Sequence, residues 1–468
     1  MKKNIVKNLI ITVLLCVSNI YYLCLYNEFC SYYFSEFLSL VTCNFFMCVC
    51  LFFICNKKQF YIFEPIVFVW FLYYMIFVYC PLVNLSKNNI TECDINIIEG
   101  CVKGTYVFIF SYISMLCGYY MLSNDNNINS EIKNGFDENE IFEEYYKWNK
   151  MYVFLWLLVF LSFLSYNTLV GRNPIYMLTF GTTNLGLGTV SSLSLGILST
   201  FVYLSFYPMM MIILYDKSLL FKISIYYMTC VPIATRGFRN VLTVCLIAPV
   251  VYYFAKNKKQ PSIKIGIIVM IVFTFMFGFL GNTRGGLRSG KGLSAKQYKY
   301  TSGMDNILYY FESYKVYYGA VMNYPKIHNY TYGKQLLYTI TMYIPRYFWA
   351  GKPKTPLFEA ISNSTSEVSA IAGSAWPNIG EYYTDLGITG TIIIMFLLGL
   401  ILYKMKQMYN SPSRKLKYVI LYSLYLPALV TIIAYGYTAG NTPQYVIMAF
   451  PLFLQMYLEK RKIHKVNE

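Results

Sequence analysis

The chain has 468 residues, 57% of them hydrophobic and 13% charged, with a mean hydropathy of +0.44. An ordinary soluble domain is about half apolar and a quarter charged, so this composition excludes one and describes a chain that crosses a membrane many times. The formal net charge of +17 does not point to nucleic acid: the cations lie between apolar stretches, where lipid head groups or an anionic substrate are the natural partners.

The first residues, MKKNIVKNLIITVLLCVSNIYYLCLY, have the basic end and apolar middle of a secretory leader. They lack a small-residue cleavage site and run on into aromatics, so they are expected to form a first span. Apolar stretches long enough for a hydrocarbon core of roughly 30 Å lie near 8–26, 37–55, 60–83, 102–122, 151–170, 191–215, 219–235, 240–255, 263–281, 386–403, 418–435 and 443–458. The expected fold class is therefore an all-α polytopic membrane protein with about twelve transmembrane helices. Alternate loops carry Lys57 and Lys58, Lys217 and Lys222, Lys256 to Lys259, and Lys404 to Lys417, and the tail adds Lys460 to Lys465. The positive-inside rule then puts both termini in the cytoplasm. Eleven of the thirteen cysteines precede residue 120, mostly inside expected spans with no histidine near, and read as small apolar residues. Three parts result: an N-terminal membrane bundle over 1–281 with an acidic cytoplasmic loop at 123–150, an extracytoplasmic loop over 282–385, and a C-terminal bundle with a basic tail over 386–468.

The long loop breaks the pattern of short connections, and loops of this size carry function more often than they merely link. Within it, DNILYYFESYKVYYGAVM and GKQLLYTITMYI have apolar residues at helical spacing. They are expected either to lie along the membrane surface or to cap the spans.

Cations on the outer side are informative because membrane insertion does not ask for them there. Arg236 and Arg239, in TRGFRN, are three apart and share a face if the turn is helical, which suits a paired grip on phosphate oxygens; snorkelling to head groups is the other reading. Arg172 is a further outer cation. In GNTRGGLRSGKG, glycines let backbone amides approach an anion while Arg284, Arg288 and Lys291 add charge; a flexible basic loop fits equally well. In YIPRYFWAGKPKTP a helix should stop at Ile344, leaving Arg346 in the first turn after Pro345, where free amides favour an anion. Lys352 and Lys354 sit between Gly351, Pro353 and Pro356 on a stiff segment. Glu381 and Asp385 are four apart near the outer end of the tenth span, as a candidate general base and its neighbour or as acids that suit a helix start. His328, in NYPKIHNYTYG, is the one outer histidine and a second candidate base. Neither GxGxxG nor a Walker pattern is present, Glu92 and Asp94 in TECDIN are only two acids in one loop and so a weak signal for a divalent ion, and no metal or cofactor is expected.

The order of RGFRN, a long outer loop, YGKQLLYTITMYIPRYFWAGKP, then GEYYTDLGITG leading into an apolar span with Gly399, resembles the oligosaccharide repeat unit polymerases, the Wzy-type O-antigen polymerases of bacteria. The resemblance covers the span count, the RGFRN arginines and roughly 280–400; the first 150 residues match in hydropathy. It implies a multispanning glycosyltransferase, similar in architecture to the GT-C class, in the bacterial cytoplasmic membrane. Donor and acceptor would be polyprenyl-pyrophosphate-linked oligosaccharides, membrane lipids would surround it, and a chain-length regulator would be a partner. By matching position the resemblance points to Arg236, Arg239, Arg346, Lys352 and Glu381. A lipid-linked oligosaccharide flippase and an O-antigen ligase-like transferase are the alternatives. A flippase is expected to have short loops and cations buried among its spans.

Overall fold

The computed structural model describes residues 12–21, 33–55, 63–86, 91–92, 95–122, 203–215, 218–235, 239–257, 311–341, 376–410, 416–436 and 438–467, with a few isolated positions besides. Almost all of them are helical. In chain order the helices are α1 (Thr12–Tyr21), α2 (Phe34–Cys55), α3 (Pro65–Tyr74), which continues through a π turn (Met75–Tyr79) into α4 (Cys80–Ser86), and α5 (Cys101–Met121). There follow α6 (Phe206–Tyr215), α7 (Leu219–Thr235), α8 (Arg239–Asn257), α9 (Ser313–Asn323), α10 (Lys334–Thr341), α11 (Asn378–Asn410), α12 (Leu416–Tyr435) and α13 (Thr438–Asn467). A short hairpin, β1 (Thr91–Glu92) antiparallel to β2 (Ile95–Asn96), precedes α5.

Among the described residues, five helices are long and apolar enough to cross a membrane: Phe34–Cys55, Pro65–Leu85, Cys101–Met121, Asn378–Met408 and Lys417–Tyr435. Thr12–Tyr21, Leu219–Cys230, Val241–Phe254 and Gln444–Leu454 are shorter apolar helices that fall on other expected spans. The expected span near 263–281 lies outside the described residues.

The chain divides into two compact units, one of residues 1–129, 308–407 and 429–442, the other of residues 130–307, 408–428 and 443–468. In the second, α6, α7 and α8 pack together, with the Tyr226 hydroxyl donating to the Cys245 carbonyl at 3.2 Å.

The first unit is built on aromatic packing. Tyr73, fully buried, sits against Phe77, Phe108 and Tyr112, and Phe77 stacks on Phe108 with centroids 4.2 Å apart. The π turn displaces one backbone bond, and the Cys43 thiol donates to the carbonyl of Phe77 at 3.8 Å. Helices α5 and α11 run in the same sense, since Ser114 Oγ donates to the Ile392 carbonyl at 2.8 Å and the Tyr119 and Tyr403 rings lie 5.8 Å apart. They approach backbone to backbone: a Cβ on Gly118 would fall 2.2 Å from the Phe396 oxygen, and one on Gly399 2.1 Å from the Met115 oxygen. At the end of the unit carrying Lys406, its Nζ lies 3.3 Å from Glu64 Oε1, which also accepts from the Tyr119 hydroxyl at 2.6 Å.

Helix α11 is two helices. Gly387, at φ 68 and ψ −166, interrupts it in a conformation open essentially to glycine alone, and the Tyr330 ring lies 3.2 Å from where a Cβ would stand. Asn378 Nδ2 contacts Met395 Sδ at 3.9 Å, and the Tyr73 hydroxyl touches both, at 2.9 Å to Asn378 Oδ1 and 3.8 Å to the sulfur. Contact between residues on either side of the break makes the segment 378–386 a return arm: it runs up to Gly387, and the chain then turns down through residues 388–410. Each limb from Gly387 to that contact spans roughly 12 Å at the helical rise. Residues 376–385 of the arm are all buried. Irregular backbone inside a membrane bundle is tolerated where protein covers it. The arm was expected to be the last part of the outer loop.

Of the two helices expected in that loop, α9 packs instead of lying on a surface. Ser313 to Val321 are all buried, with Tyr317 donating to the Gly104 carbonyl at 2.8 Å and Tyr318 against Gly100. Helix α10 leaves Lys334, Leu336 and Leu337 exposed.

Candidate functional site

The arm sends its polar groups to several different elements. Asn378 reaches Tyr73 on α3, as above. One turn on, Glu381 is 4% exposed, and its two carboxylate oxygens accept from the backbone N–H of Thr438 at 3.0 and 3.1 Å, while Oε2 accepts from the Thr438 hydroxyl at 2.7 Å. Thr438 opens α13, so the carboxylate occupies the N-terminus of that helix, where unpaired amides and the helix dipole both favour a negative charge. Gly436, at φ 51, makes the turn between α12 and α13; a Cβ there would stand 2.7 Å from the Trp376 oxygen. Trp376 in turn donates its N–H to the Tyr435 carbonyl at 3.3 Å.

Asp385 works in the opposite direction, toward the loop. It is 1% exposed and accepts from the Thr331 hydroxyl, from the backbone N–H of Gly333 at 2.9 Å, and from those of Gln335 and Leu336 at 3.3 Å. It therefore caps the start of α10 from another part of the chain. Backbone bonds reinforce the junction: Thr331 N–H donates to the Thr384 carbonyl at 3.2 Å and Tyr332 N–H to the Asp385 carbonyl at 2.7 Å. Gln335 Nε2 adds a bond to Thr384 Oγ1 at 3.2 Å. Tyr332 and Gly333 both hold positive φ, 49 and 87, in this turn.

Between the two acids, Tyr383 ties the arm to the end of α9. Its hydroxyl donates to the Tyr324 carbonyl at 3.1 Å and accepts from Tyr330 at 3.4 Å. Lys103 Nζ donates to the carbonyls of Val321 and Tyr324 at 3.0 and 3.1 Å and lies 5.4 Å from the Tyr383 ring centroid, so a cation closes the C-terminal end of α9. Burial raises the Tyr324 and Tyr330 hydroxyls to about 12, which keeps both neutral.

His328 lies in the same loop, its ring 5.5 Å from that of Tyr324. Burial lowers its pKa from the ordinary value, so the imidazole is neutral near pH 7. Its Nε2 is buried without a hydrogen-bond partner among the described residues.

The structure thus brings two of the expected site residues, Glu381 and His328, into one connected assembly through Tyr383 and Tyr324. Arg239 is the first residue of α8, described here by its backbone only. Arg172, Arg236, Arg284, Arg288, Arg346 and Lys352 lie outside the described residues. Lys103, Tyr324, Tyr330, Gln335 and Thr384 were not anticipated; their roles depend on contacts across long chain separations that no local pattern encodes. Among the described residues, no group of three or more His, Cys, Asp or Glu is placed to hold a metal ion.

Neither the curated proteins nor the solved structures contain a match to the chain. The family model for the O-antigen polysaccharide polymerase Wzy, by contrast, matches residues 5–459, which takes in the five apolar helices, the return arm and the loop it holds. On that match over nearly its whole length, the chain belongs to the Wzy family of O-antigen polysaccharide polymerases, multi-pass proteins of the inner membrane that act on lipid-linked oligosaccharide repeat units.

Proposed function

We propose that the chain joins polyprenyl-pyrophosphate-linked repeat units on the outer face of the cytoplasmic membrane; the apolar stretches support about twelve spans and the lysine distribution supports both termini inside. Repeat-unit polymerisation is the activity of its family. In the proposed step, a hydroxyl of the acceptor unit attacks the anomeric carbon of the donor glycan. The carbon–oxygen bond to the lipid pyrophosphate breaks, the new glycosidic bond forms, and the hydroxyl proton passes to a base. Arg346 is assigned to the leaving pyrophosphate, where fixed positive charge stabilises the developing anion, a role that makes a metal ion unnecessary. Arg236, Arg239, Arg284, Arg288, Lys352 and Arg172 are assigned to gripping the two pyrophosphates, and a chain-length regulator is a partner.

One observation carries this reading toward Arg346: the Asp385 carboxylate fixes the start of α10, and the sequence leads from the end of α10 at Thr341 directly into the segment containing Arg346. Glu381, with both oxygens on Thr438, is assigned a positioning role, and His328, with a free Nε2 among the described residues, is left as the candidate base.

The test is elongation by purified protein in detergent, supplied with lipid-linked repeat units, where no membrane has to be crossed. Wild-type protein should build long glycan, and Arg346→Ala should insert normally yet release only single repeats. Normal chain length from verified Arg346→Ala protein would remove Arg346 from the mechanism. Failure of wild-type protein on competent substrate would return the flippase reading.

A further inference from the structure

Above the return arm, the loop that Asp385 holds carries a continuous strip of aromatic rings, buried at Tyr324 and exposed at Tyr332. Tyr324 lies 5.5 Å from His328 and 6.2 Å from Tyr330, and Tyr330 lies 6.3 Å from Tyr332. The packing needs of the loop do not account for three features of this strip.

The first is Tyr332. It is 76% exposed, so it contributes little to any core, yet it holds φ 49, a backbone region that a bulky residue enters only at a cost. The conformation is enforced by the Tyr332 N–H bond to the Asp385 carbonyl and by the carboxylate of Asp385 on Gly333 and its neighbours. The result is a fixed backbone that carries a solvent-facing phenol. A protein that needed only a turn here would place a small residue at that position.

The second is a set of polar atoms left over. Tyr324 and Gln335 are each 3% exposed, and Tyr324 Oη and Gln335 Oε1 are buried without a hydrogen-bond partner among the described residues, as is His328 Nε2. Their neighbours are satisfied: Tyr330 and Tyr383 form a bonded chain, and the other end of Gln335 is tied to Thr384. A buried polar atom without a partner is costly, and several in one loop mark a place where partners arrive from outside. A hydroxyl, an imidazole nitrogen and an amide oxygen together offer both donor and acceptor capacity but no fixed charge, since His328 is neutral.

The third is what stands beside them. Ile327 is 69% exposed, which gives the strip an apolar edge. Apolar faces next to uncharged donors and acceptors match the surface of a sugar ring, whose C–H face is apolar and whose rim carries hydroxyls. A phosphate ligand would call for cations: the exposed Lys326 and Lys334 flank residues 327–333 in sequence, whereas the groups between them carry no Lys or Arg, and Arg284, Arg288, Arg346 and Lys352 lie farther away along the chain.

We propose that Tyr324, His328, Tyr330 and Tyr332 form a glycan subsite of the polymerase, in which Tyr332 stacks on a pyranose ring of the incoming repeat unit while Tyr324 Oη and His328 Nε2, covered in the free loop, are uncovered by movement of the neighbouring rings and bond its hydroxyls. The subsite rests on the polymerase reading and deepens it by separating sugar recognition, on the loop above the arm, from pyrophosphate recognition by the arginines. Anchoring the loop to Asp385 then sets the distance between the two.

The experiment uses the full-length protein in detergent with the lipid-linked repeat unit extracted from its own host. The same oligosaccharide, freed of lipid pyrophosphate by mild acid, serves as a soluble probe. Elongation by the wild-type protein tests the polymerase reading by itself; given that activity, the variants test the subsite. Tyr332→Ala should raise KM for the lipid-linked unit roughly three- to tenfold with little change in kcat, the scale of one lost aromatic contact, and Tyr332→Trp should restore it. Tyr324→Phe, which keeps the ring and deletes only the hydroxyl, should raise KM by a similar factor. Saturation-transfer NMR on the soluble oligosaccharide should lose its contacts in Tyr332→Ala. Unchanged KM in both Tyr332→Ala and Tyr324→Phe would overturn the subsite and leave the strip as an aromatic belt at the membrane interface. A fall in kcat alone, with KM and the NMR contacts retained, would overturn it as well.

Discussion

Asn378 and Met395, 17 residues apart, touch at 3.9 Å on the two sides of Gly387. One straight helix would hold them about 25 Å apart, so the contact is what shows that the chain doubles back. The consequence for function is that the GEYYTDLG segment meets the loop from a buried arm, residues 376–385 being covered on all sides.

Gly387→Ala tests the hairpin. The new Cβ must adopt a positive φ and meet the Tyr330 ring at 3.2 Å. Strain of this kind costs about 1 to 3 kcal/mol. The expected outcome is a lower thermal transition of the detergent-solubilised protein together with loss of long glycan, measured by scanning fluorimetry and by gel profile of the polymer. Unaltered stability would show that the turn has another solution.

Glu381 separates positioning from proton transfer. Glu381→Gln keeps an oxygen for the Thr438 amide and should retain much of the elongation rate, while Glu381→Ala, which strips the cap from α13, should lose about 0.5 to 2 kcal/mol of stability. A general base would behave differently: Gln would cost about 10²- to 10⁴-fold in kcat with stability intact. Single-turnover elongation rates of the two variants decide between these.

Asp385→Ala should be more damaging to activity than to insertion. It leaves the amides of Gly333, Gln335 and Leu336 without their acceptor, and each bond to a charged group contributes about 1.5 to 3 kcal/mol. The loop should loosen and elongation fall sharply, with the membrane-inserted amount near normal. Faster hydrogen exchange confined to residues 331–341 is the accompanying signature.

The Glu64–Lys406 pair offers a stability test remote from the loop. Glu64→Gln leaves Lys406, whose side chain is 14% exposed, without its counter-charge, and breaking one side of such a buried pair costs about 3 to 5 kcal/mol. The double variant Glu64→Gln, Lys406→Met should recover most of that loss in a thermal or denaturant titration. A double variant no better than the single one would show that the charges contribute nothing to each other.

Much of this protein is legible in its sequence because the bilayer sets a simple rule: a run of about twenty apolar residues must be a helix. Five long apolar helices stand where hydropathy expects them, and the order of outer-loop and arm motifs is enough to reveal the family that the match over 5–459 establishes. The helical spacing in SYKVYYGAVMN and KQLLYTIT also marks α9 and α10. What the sequence leaves open is where charges and helix ends meet. Glu381 and Asp385 read locally as acids at the start of their own helix, yet each serves a different one, α13 and α10, because the reversal at Gly387 turns a terminal segment into a buried arm facing both. Local pattern reports the face a residue occupies on its own element; its partner across 49 to 57 residues of chain is decided only when the folded backbone brings the two together.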